Sequence, residues 1–382
     1  MDWGEIVDYL KISADDHIDL GYLPHGTWID RVPSAMVDRV PHIEKRDRGE
    51  FWVCEGKIWS EYRNAEWFGR PGRNPLALDR GGVGEEGRPV TSSKRLEDMD
   101  RDGVEYSVMF PPIISLQVSD VALQDTIIQA YNDWAADFAA EAPDRLASVA
   151  LLSPDSALSA TNELVRIARE GRIKQAGFLV NDVSTDMYLE DWDPFWATAE
   201  ETGIIVSYHV GGSIQTDTIR AAQGSARDKG HRAPVFGLGL GNAGSVWLMP
   251  FTSLFSFGIL ERHPNLRFVL AESGTGWIPF VVQEMDFRYN RLFETRGDIP
   301  LKELPSDLFR RQVWATYQTD FVGLNLVDFF GKGHMMWASD YPHHDSTWPF
   351  SDEIVERETA HLDAASKRAI LRDNAASLYA LA

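Results

Sequence analysis

Acidic and histidine side chains follow several apolar runs that are spread over almost the whole chain. The residues, in chain order, are Asp15 and His17 in "LKISADDHID", His209 in "IIVSYHVGG", Glu272 in "RFVLAES", and Asp340, His343 and His344 in "HMMWASDYPHHD". Oxygen and nitrogen side chains at the ends of buried strands are the ligands with which a parallel barrel holds a metal ion. The sequence therefore suggests metal-dependent catalysis.

The first pair shows how the spacing matters. Asp15 and His17 are two residues apart at the end of a predicted strand, so both side chains face the same side and can point into a barrel. Asp16 then points away and can support the ligands from behind. Histidine nitrogen combined with carboxylate oxygen suits Zn, Mn or Fe better than Ca or Mg.

The predicted ligands are enough for one or two ions. One ion needs about four ligands and often keeps an open position, and Asp15, His17, His209 and Asp340 satisfy that need. A second ion could be held by Glu272 with His343, and His344 is a further candidate. The predicted catalytic residues are Asp340, Glu272 and His343.

Each of these residues also has an ordinary structural explanation. A single Asp or His is usually a helix cap or a surface residue, and Asp340 could cap the segment that follows it. Glu272 could be a ligand, a general base or a group that orients a ligand. The run "GLGLGNAG" lacks the strand and the acidic residue of a dinucleotide site, so no organic cofactor is predicted.

The elements that would position these residues alternate along the chain. Apolar runs without strict alternation are typical of strands that are buried on both faces, and amphipathic stretches lie between them. The eight predicted strands are 11–14, 106–110, 147–152, 176–180, 204–209, 267–271, 313–319 and 335–338. This order predicts an α/β fold, a distorted (β/α)8 TIM barrel.

Two long insertions interrupt the alternation. Residues 18–94 follow the first strand and residues 211–244 follow the fifth, and both are rich in turn-forming residues. Loops that follow barrel strands lie over the mouth where substrates bind. We therefore expect a single metal-dependent barrel domain, residues 1–382, with 18–94 and 211–244 as lid segments.

Composition restricts the partners. The chain has 382 residues, is 44% hydrophobic and carries a net charge of −21, which argues against nucleic acid as a partner. The single cysteine, Cys54, allows no disulfide within the chain and fits a reducing cytoplasm. Neither a secretory signal nor a membrane-spanning run is recognisable, so a cytoplasmic protein without membrane contact is expected.

The motifs together resemble the amidohydrolase-related proteins of the aminocarboxymuconate-semialdehyde decarboxylase branch. The resemblance rests on "ISADDHID", "LEDMDRDGVEYSVMFP", "YNDWAADFAAEAPDRLASVALL", "DPFWATAEETGIIVSYHVGG", "GILERHPNLRFVLAESGTGWIP" and "WASDYPHHDSTWP". It extends from about residue 10 to residue 380, apart from much of the two insertions. It implies the same distorted barrel.

The resemblance also implies a ligand set. An acid-x-His pair after the first strand, a His after the fifth and an Asp after the eighth correspond to Asp15, His17, His209 and Asp340. The decarboxylases of this branch usually carry a His after the sixth strand, where this chain has Glu272. A carboxylate can bridge two metals, and a few relatives of the fold look like dinuclear oxygenases with an enlarged ligand set.

Four functions follow from these observations. The main hypothesis is a metal-dependent hydrolase that acts on a small, partly apolar organic substrate through activated water. The alternatives are a non-oxidative decarboxylase of an aromatic or unsaturated acid, with Arg63, Arg70 or Arg73 as carboxylate clamp, a dinuclear Fe or Mn/Fe monooxygenase, and a non-catalytic metal-bearing subunit.

The remaining expectations concern contacts with other molecules. Trp277, Tyr317 and Trp348 lie near strand ends and could line the substrate site, although ordinary core packing explains them equally well. The apolar segment 246–257, "VWLMPFTSLFSF", predicts a homo-oligomer or an oligomer with a homologous subunit.

Overall fold

The strands of this computed structural model form one large sheet and one small sheet. The structure describes residues 10–18, 20–21, 23–47, 49–62, 91–112, 116, 118–212, 244–296, 302–343 and 346–381. The strands in these ranges are β1 Lys11–His17, β2 His42–Arg46, β3 Gly49–Cys54, β4 Lys57–Glu61, β5 Val104–Phe110, β6 Leu146–Leu151, β7 Gln175–Leu179, β8 Ile205–His209, β9 Phe268–Ala271, β10 Val313–Tyr317 and β11 Met335–Trp337.

The large sheet confirms the predicted α/β barrel. Its eight strands are parallel and pair in the order β1-β5-β6-β7-β8-β9-β10-β11. All eight predicted strands are present in the predicted order, with small differences at their ends. Strand β1 continues three residues further than expected because Asp16 and His17 pair with Met109 and Phe110 of β5. Asp15 and His17 therefore lie on the strand itself.

Backbone hydrogen bonds bring the first strand against the segment that follows the last. The Asp340 N–H donates to the Asp15 carbonyl at 3.0 Å, and the His17 N–H donates to the Tyr341 carbonyl at 2.8 Å. The barrel is thus nearly closed, and two of its predicted ligand segments are joined directly.

Helices surround the barrel and have clear sequence origins. In Val121–Ala140, the Asp120 side chain caps the first turn and a face that includes Ile127 and Trp134 is buried. The described helices are Gly26–Ile29, Ser92–Arg101, Val121–Ala140, Ala157–Glu170, Asp193–Thr202, Leu248–Ser256, Ile259–Arg262, Ile278–Arg296, Pro305–Gln312, Phe321–Asn325, Val327–Phe330, Ser351–Thr359, Ala364–Arg368 and Asn374–Tyr379. None of the described helices is both long and apolar enough to cross a bilayer.

The first insertion contains a small antiparallel sheet that the sequence analysis did not predict. Strands β2, β3 and β4 pair in sequence order, and Glu55 and Gly56 form the tight turn between the last two with φ values of 47° and 75°. Two left-handed residues in succession are the signature of a type I′ hairpin. Trp52 anchors this sheet, because its indole N–H donates to the Leu20 carbonyl at 2.6 Å.

Other parts of the predicted organisation stay predictions. Residues 63–90, about a third of the first expected lid, and 213–243, nearly all of the second, lie outside the described residues. The assignment of 1–382 to one domain is likewise untested. In the segment 246–257, Trp247 and Phe251 are buried within the chain while Leu248 and Met249 are exposed. The largest rings of this segment therefore pack inside the subunit, and an oligomer stays a prediction.

Candidate metal centre

The six residues predicted as ligands meet at the carboxyl end of the barrel. Their ligand atoms form two groups, and within each group all atoms lie within 4.8 Å of one another. The groups are Asp15, His17 and His209, and His17, Glu272, Asp340 and His343. Because His17 belongs to both, the two groups form one continuous cluster of three imidazoles and three carboxylates.

The first group lies fully inside the barrel. Asp15, His17 and His209 are each at most 3% exposed. The Asp15 Oδ1 atom lies 3.3 Å from His209 Nε2 and 3.7 Å from His17 Nε2. His17 also stacks on His343, with ring centroids 4.0 Å apart.

The second group reaches from the buried interior towards the barrel mouth. Asp340 is fully buried, and its Oδ1 atom lies 3.3 Å from His17 Nε2. The Nδ1 atom of His343 is 2.9 Å from Oδ1 and 3.0 Å from Oδ2 of the same carboxylate. Glu272 Oε2 lies 3.6 Å from His209 Nε2, and the Glu272 side chain is 18% exposed.

Both acidic residues of the second group have an unusual backbone. Glu272 and Asp340 have φ values of 52° and 60°, in the left-handed region that residues other than glycine seldom occupy. Such a conformation costs about 1–3 kcal/mol and persists where the surrounding structure enforces it, often at functional sites. Here hydrogen bonds hold both backbones, since the Glu272 N–H donates to Thr316 Oγ1 and the Asp340 N–H to the Asp15 carbonyl.

Behind the cluster, Asp16 links β1 to β5 and to the segment that follows β11. Its Oδ1 accepts hydrogen bonds from Ser13 at 2.7 Å and Ser339 at 2.6 Å, and its Oδ2 accepts one from Ser107. Complete burial raises the pKa of Asp16 to about 6, against the lowering effects of Arg95 and the serine hydroxyls. The expectation that Asp16 points away from the ligands agrees with this geometry.

The tautomer of His209 indicates which kind of ligand the cluster could bind. Its Nδ1 lies 2.6 Å from the Val210 carbonyl, which can only accept, so Nδ1 carries the hydrogen. Nε2 is then the ring nitrogen that faces two carboxylates, those of Asp15 at 3.3 Å and Glu272 at 3.6 Å. In this tautomer Nε2 is free to bind a metal ion, and a cation between such groups compensates the buried negative charge of the carboxylates. The donor set therefore fits a metal ion, and mixed nitrogen and oxygen ligands suit Zn, Mn or Fe.

Comparisons with known proteins agree with this chemistry. A family model described as "Amidohydrolase" matches residues 54–381. The chain belongs to this family. Among curated proteins, the chain is 27% identical over 309 residues to the gamma-resorcylate decarboxylase of Rhodococcus jostii RHA1, a match that covers 75% of the chain and 87% of the relative.

Two solved structures show the same fold. An amidohydrolase from Mycobacterium avium subsp. paratuberculosis matches 97% of the chain and 99% of its own length, with a TM-score of 0.77 and 18% identity. A dihydroxybenzoic acid decarboxylase from Polaromonas sp. JS666, solved with manganese and the inhibitor 2-nitroresorcinol, matches 98% of the chain and 97% of its own length, with a TM-score of 0.63 and 18% identity. The resemblance noted from the motifs is confirmed: the chain is an enzyme of the amidohydrolase family, and its barrel carries residues that could hold a metal ion.

Several candidates from the sequence lie apart from the cluster or outside the described residues. His344, Arg63, Arg70 and Arg73 are not described. Trp348 is buried, packs edge to face against Tyr341 and donates to the Asp98 carbonyl at 3.0 Å, so it helps to hold the loop after β11.

The other two aromatic candidates also take part in packing. Trp277 donates to the Ser273 carbonyl at 2.9 Å and packs against Phe251, with ring centroids 5.2 Å apart. Tyr317 is 2% exposed and belongs to the core. Core packing, which the sequence left equally open, therefore accounts for these rings.

The structure adds residues that the sequence analysis missed. Thr316 contacts two of the predicted site residues through its hydroxyl. Asp320 accepts hydrogen bonds from the backbone N–H groups of Thr275 and Gly276 at 2.5 and 2.8 Å, which holds the loop that begins with Glu272. The signal in the sequence was that Thr316 and Asp320 are polar residues at or just after the end of β10. The contacts described here are with residues more than 40 positions away in the chain, so local patterns could not reveal them.

Proposed function

We propose that this protein is a non-oxidative decarboxylase of a small aromatic or unsaturated acid. We further propose that one divalent transition metal, Zn, Mn or Fe, is held by Asp15, His17, His209 and Asp340. The curated relative from Rhodococcus is a decarboxylase, and the similarity extends over three quarters of this chain. The structure from Polaromonas contains bound manganese and the inhibitor 2-nitroresorcinol. These similarities support carbon dioxide release more than hydrolysis, which was the main hypothesis from the sequence.

The metal and the protein contribute different parts of the chemistry. A divalent ion bound by these residues would act as a Lewis acid on the substrate carboxylate and a neighbouring oxygen. Loss of carbon dioxide leaves the bonding electron pair on the former carboxyl-bearing carbon. That carbon must then receive one proton, so the substrate anion and a proton become the product and carbon dioxide.

The single observation that carries the proposal is the pairing of Asp340 with His343. Asp340 is fully buried, and His343 Nδ1 lies 2.9 Å from its Oδ1. The His343 side chain is 9% exposed, so the imidazole reaches the barrel mouth. Asp340 can therefore deliver a proton from a carboxyl oxygen to the carbon, and His343 can pass the next proton inwards from the mouth. Burial of the donor also keeps water from competing for the carbanion-like carbon.

Carbon dioxide release from a panel of acids tests this function. Protein loaded with Mn²⁺ would be incubated, with and without oxygen, with mono- and dihydroxybenzoates and with unsaturated aliphatic acids. We expect one equivalent of carbon dioxide per product formed from at least one acid class, at equal rates in both atmospheres. Hydrolysis of esters, amides or lactones by the same preparation, with no carbon dioxide from any acid, would restore the hydrolase hypothesis.

One observation favours a second candidate, a dinuclear oxygenase. Glu272 and His343 share the second ligand group with His17 and Asp340, so the cluster contains donors for another ion. A bridging carboxylate between two metals is suited to oxygen chemistry with Fe or Mn/Fe. Under this hypothesis, turnover would require oxygen, and two equivalents of metal would be bound.

Replacing Glu272 with histidine separates the two candidates. Under the decarboxylase proposal, Glu272→His should keep one equivalent of metal and a kcat/KM within about an order of magnitude of the original protein. The reason is that histidine tolerates the left-handed backbone at this position better than most residues, and that the Glu272 side chain is 18% exposed and so is not enclosed in the core. Glu272→Gln, which keeps the shape and removes the charge, is the matched control. Loss of one of two bound ions, together with oxygen-dependent turnover in the original protein, would instead favour the oxygenase.

A further inference from the structure

The hydroxyl of Thr316 lies between the two ligand groups of the cluster. Thr316 is fully buried in β10. Its Oγ1 donates to Asp15 Oδ2 at 2.8 Å and accepts from the Glu272 backbone N–H at 2.7 Å. One side chain thus contacts a predicted ligand of the first group and the backbone of a predicted ligand of the second.

The direction of both hydrogen bonds follows from the atoms. A backbone N–H can only donate, so the Thr316 oxygen must accept from Glu272. The single hydroxyl hydrogen is then available for Asp15, whose carboxylate accepts it. Because this bond occupies Oδ2, the other oxygen of Asp15 is the one that lies 3.3 Å from His209 Nε2.

The second bond matters because of the backbone of Glu272. With φ at 52°, this residue is in a conformation that an L side chain seldom adopts. Its N–H donates to the Thr316 side chain on the neighbouring strand β10 instead of to a backbone carbonyl of that strand, because β9 has already ended at Ala271. The hydroxyl thereby helps to keep the chain turned so that the Glu272 carboxylate faces His209, 3.6 Å away.

We propose that Thr316 is a positioning residue that sets the orientation of the Asp15 carboxylate and of Glu272 with a single hydroxyl. This inference rests on the proposed metal centre and deepens it. Hydrogen bonds to ligating carboxylates fix their geometry, and the loss of such a partner typically lowers metal affinity by about 10- to 100-fold. Because the Thr316 hydroxyl contacts both ligand groups, its removal should change the distance between them.

The isosteric change Thr316→Val tests the role of the hydroxyl. Valine keeps the branched shape that suits a strand and removes only the donor and acceptor. Metal affinity would be measured by competition with a chromophoric chelator, with Mn²⁺ and Zn²⁺ as probes. We expect Thr316→Val to bind the ion about 10- to 100-fold more weakly, and Thr316→Ser to keep most of the original affinity.

Two further variants separate positioning from stability. Thr359→Val removes another buried threonine hydroxyl, on the helix Ser351–Thr359, that touches no predicted ligand. It should leave metal affinity unchanged. If Thr316→Val does not fold, Thr316→Cys provides a weaker hydrogen-bonding group of similar size. The Thr316→Cys protein should bind the metal ion more weakly than the original protein and Thr316→Ser, but more tightly than a chain that lacks the hydrogen bond.

The outcomes distinguish failure of the inference from failure of the proposed function. If the original protein binds neither ion, the metal centre is wrong. The inference is overturned if the original protein binds the ion and the Thr316→Val protein, once folded, binds it equally well. Thr316→Cys takes the place of Thr316→Val in this comparison if Thr316→Val does not fold. Metal binding also stabilises the folded state, so the affinity comparison uses Thr316→Val protein that circular dichroism shows to be folded without metal. Recovery of its activity at high metal concentration would then support positioning.

Discussion

Asp340→Asn is expected to lower kcat/KM for carbon dioxide release by about 100- to 10,000-fold, the range typical for loss of a general acid. The Asp340 carboxylate lies 3.3 Å from His17 Nε2 and 2.9 Å from His343 Nδ1, and no solvent reaches it. An amide has nearly the same shape but cannot carry the proton that the product requires. Asparagine also tolerates a φ of 60° better than most residues, so the backbone should remain in place.

Two measurements make the Asp340 result specific. Metal content of the variant shows whether the loss reflects an absent ion or an absent proton donor. Asp186→Asn, at an exposed position outside the cluster, is the matched control and should keep full activity. A fully active Asp340→Asn protein would show that the reaction takes place without this carboxylate, and the proposed site would have to be abandoned.

Removal of the metal is expected to abolish turnover and to lower the melting temperature by several degrees. Without a cation, the carboxylates of Asp15, Glu272 and Asp340 remain close together among imidazoles with little solvent to screen them. A ligand that binds only the folded state stabilises it by about 4 kcal/mol at 1,000 times its Kd. Thermal unfolding with and without a chelator measures this difference.

Re-addition of single metals then completes the test. Zn²⁺, Mn²⁺ and Fe²⁺ would be titrated separately into the metal-free protein, with Asp15→Asn as a variant in which the chelator should have a much smaller effect. One equivalent that restores both stability and activity supports the mononuclear decarboxylase, whereas two equivalents favour the dinuclear centre. Unchanged activity and melting temperature after complete removal of metal would contradict both.

The sequence by itself was sufficient to predict the barrel and its candidate ligands. Short apolar runs without strict alternation identified eight buried strands, and the order of strands and helices identified the (β/α)8 fold. Because parallel strands in a barrel end on the same side, polar residues at those ends could be expected to meet. Asp15, His17, His209, Glu272, Asp340 and His343 do meet in one cluster.

Only the tertiary structure decided how these residues are held. The left-handed backbones of Glu272 and Asp340, and the contact of Thr316 with Asp15, depend on partners that are distant in the chain. The same holds for Asp320, whose carboxylate accepts a hydrogen bond from the Thr275 N–H. Local sequence patterns indicate the periodicity of a helix or strand and where it ends. Hydrogen bonds between the ends of separate strands depend instead on the register of those strands and on closure of the barrel. For this reason the candidate ligands could be named from the chain, whereas the residues that contact them behind the cluster could not.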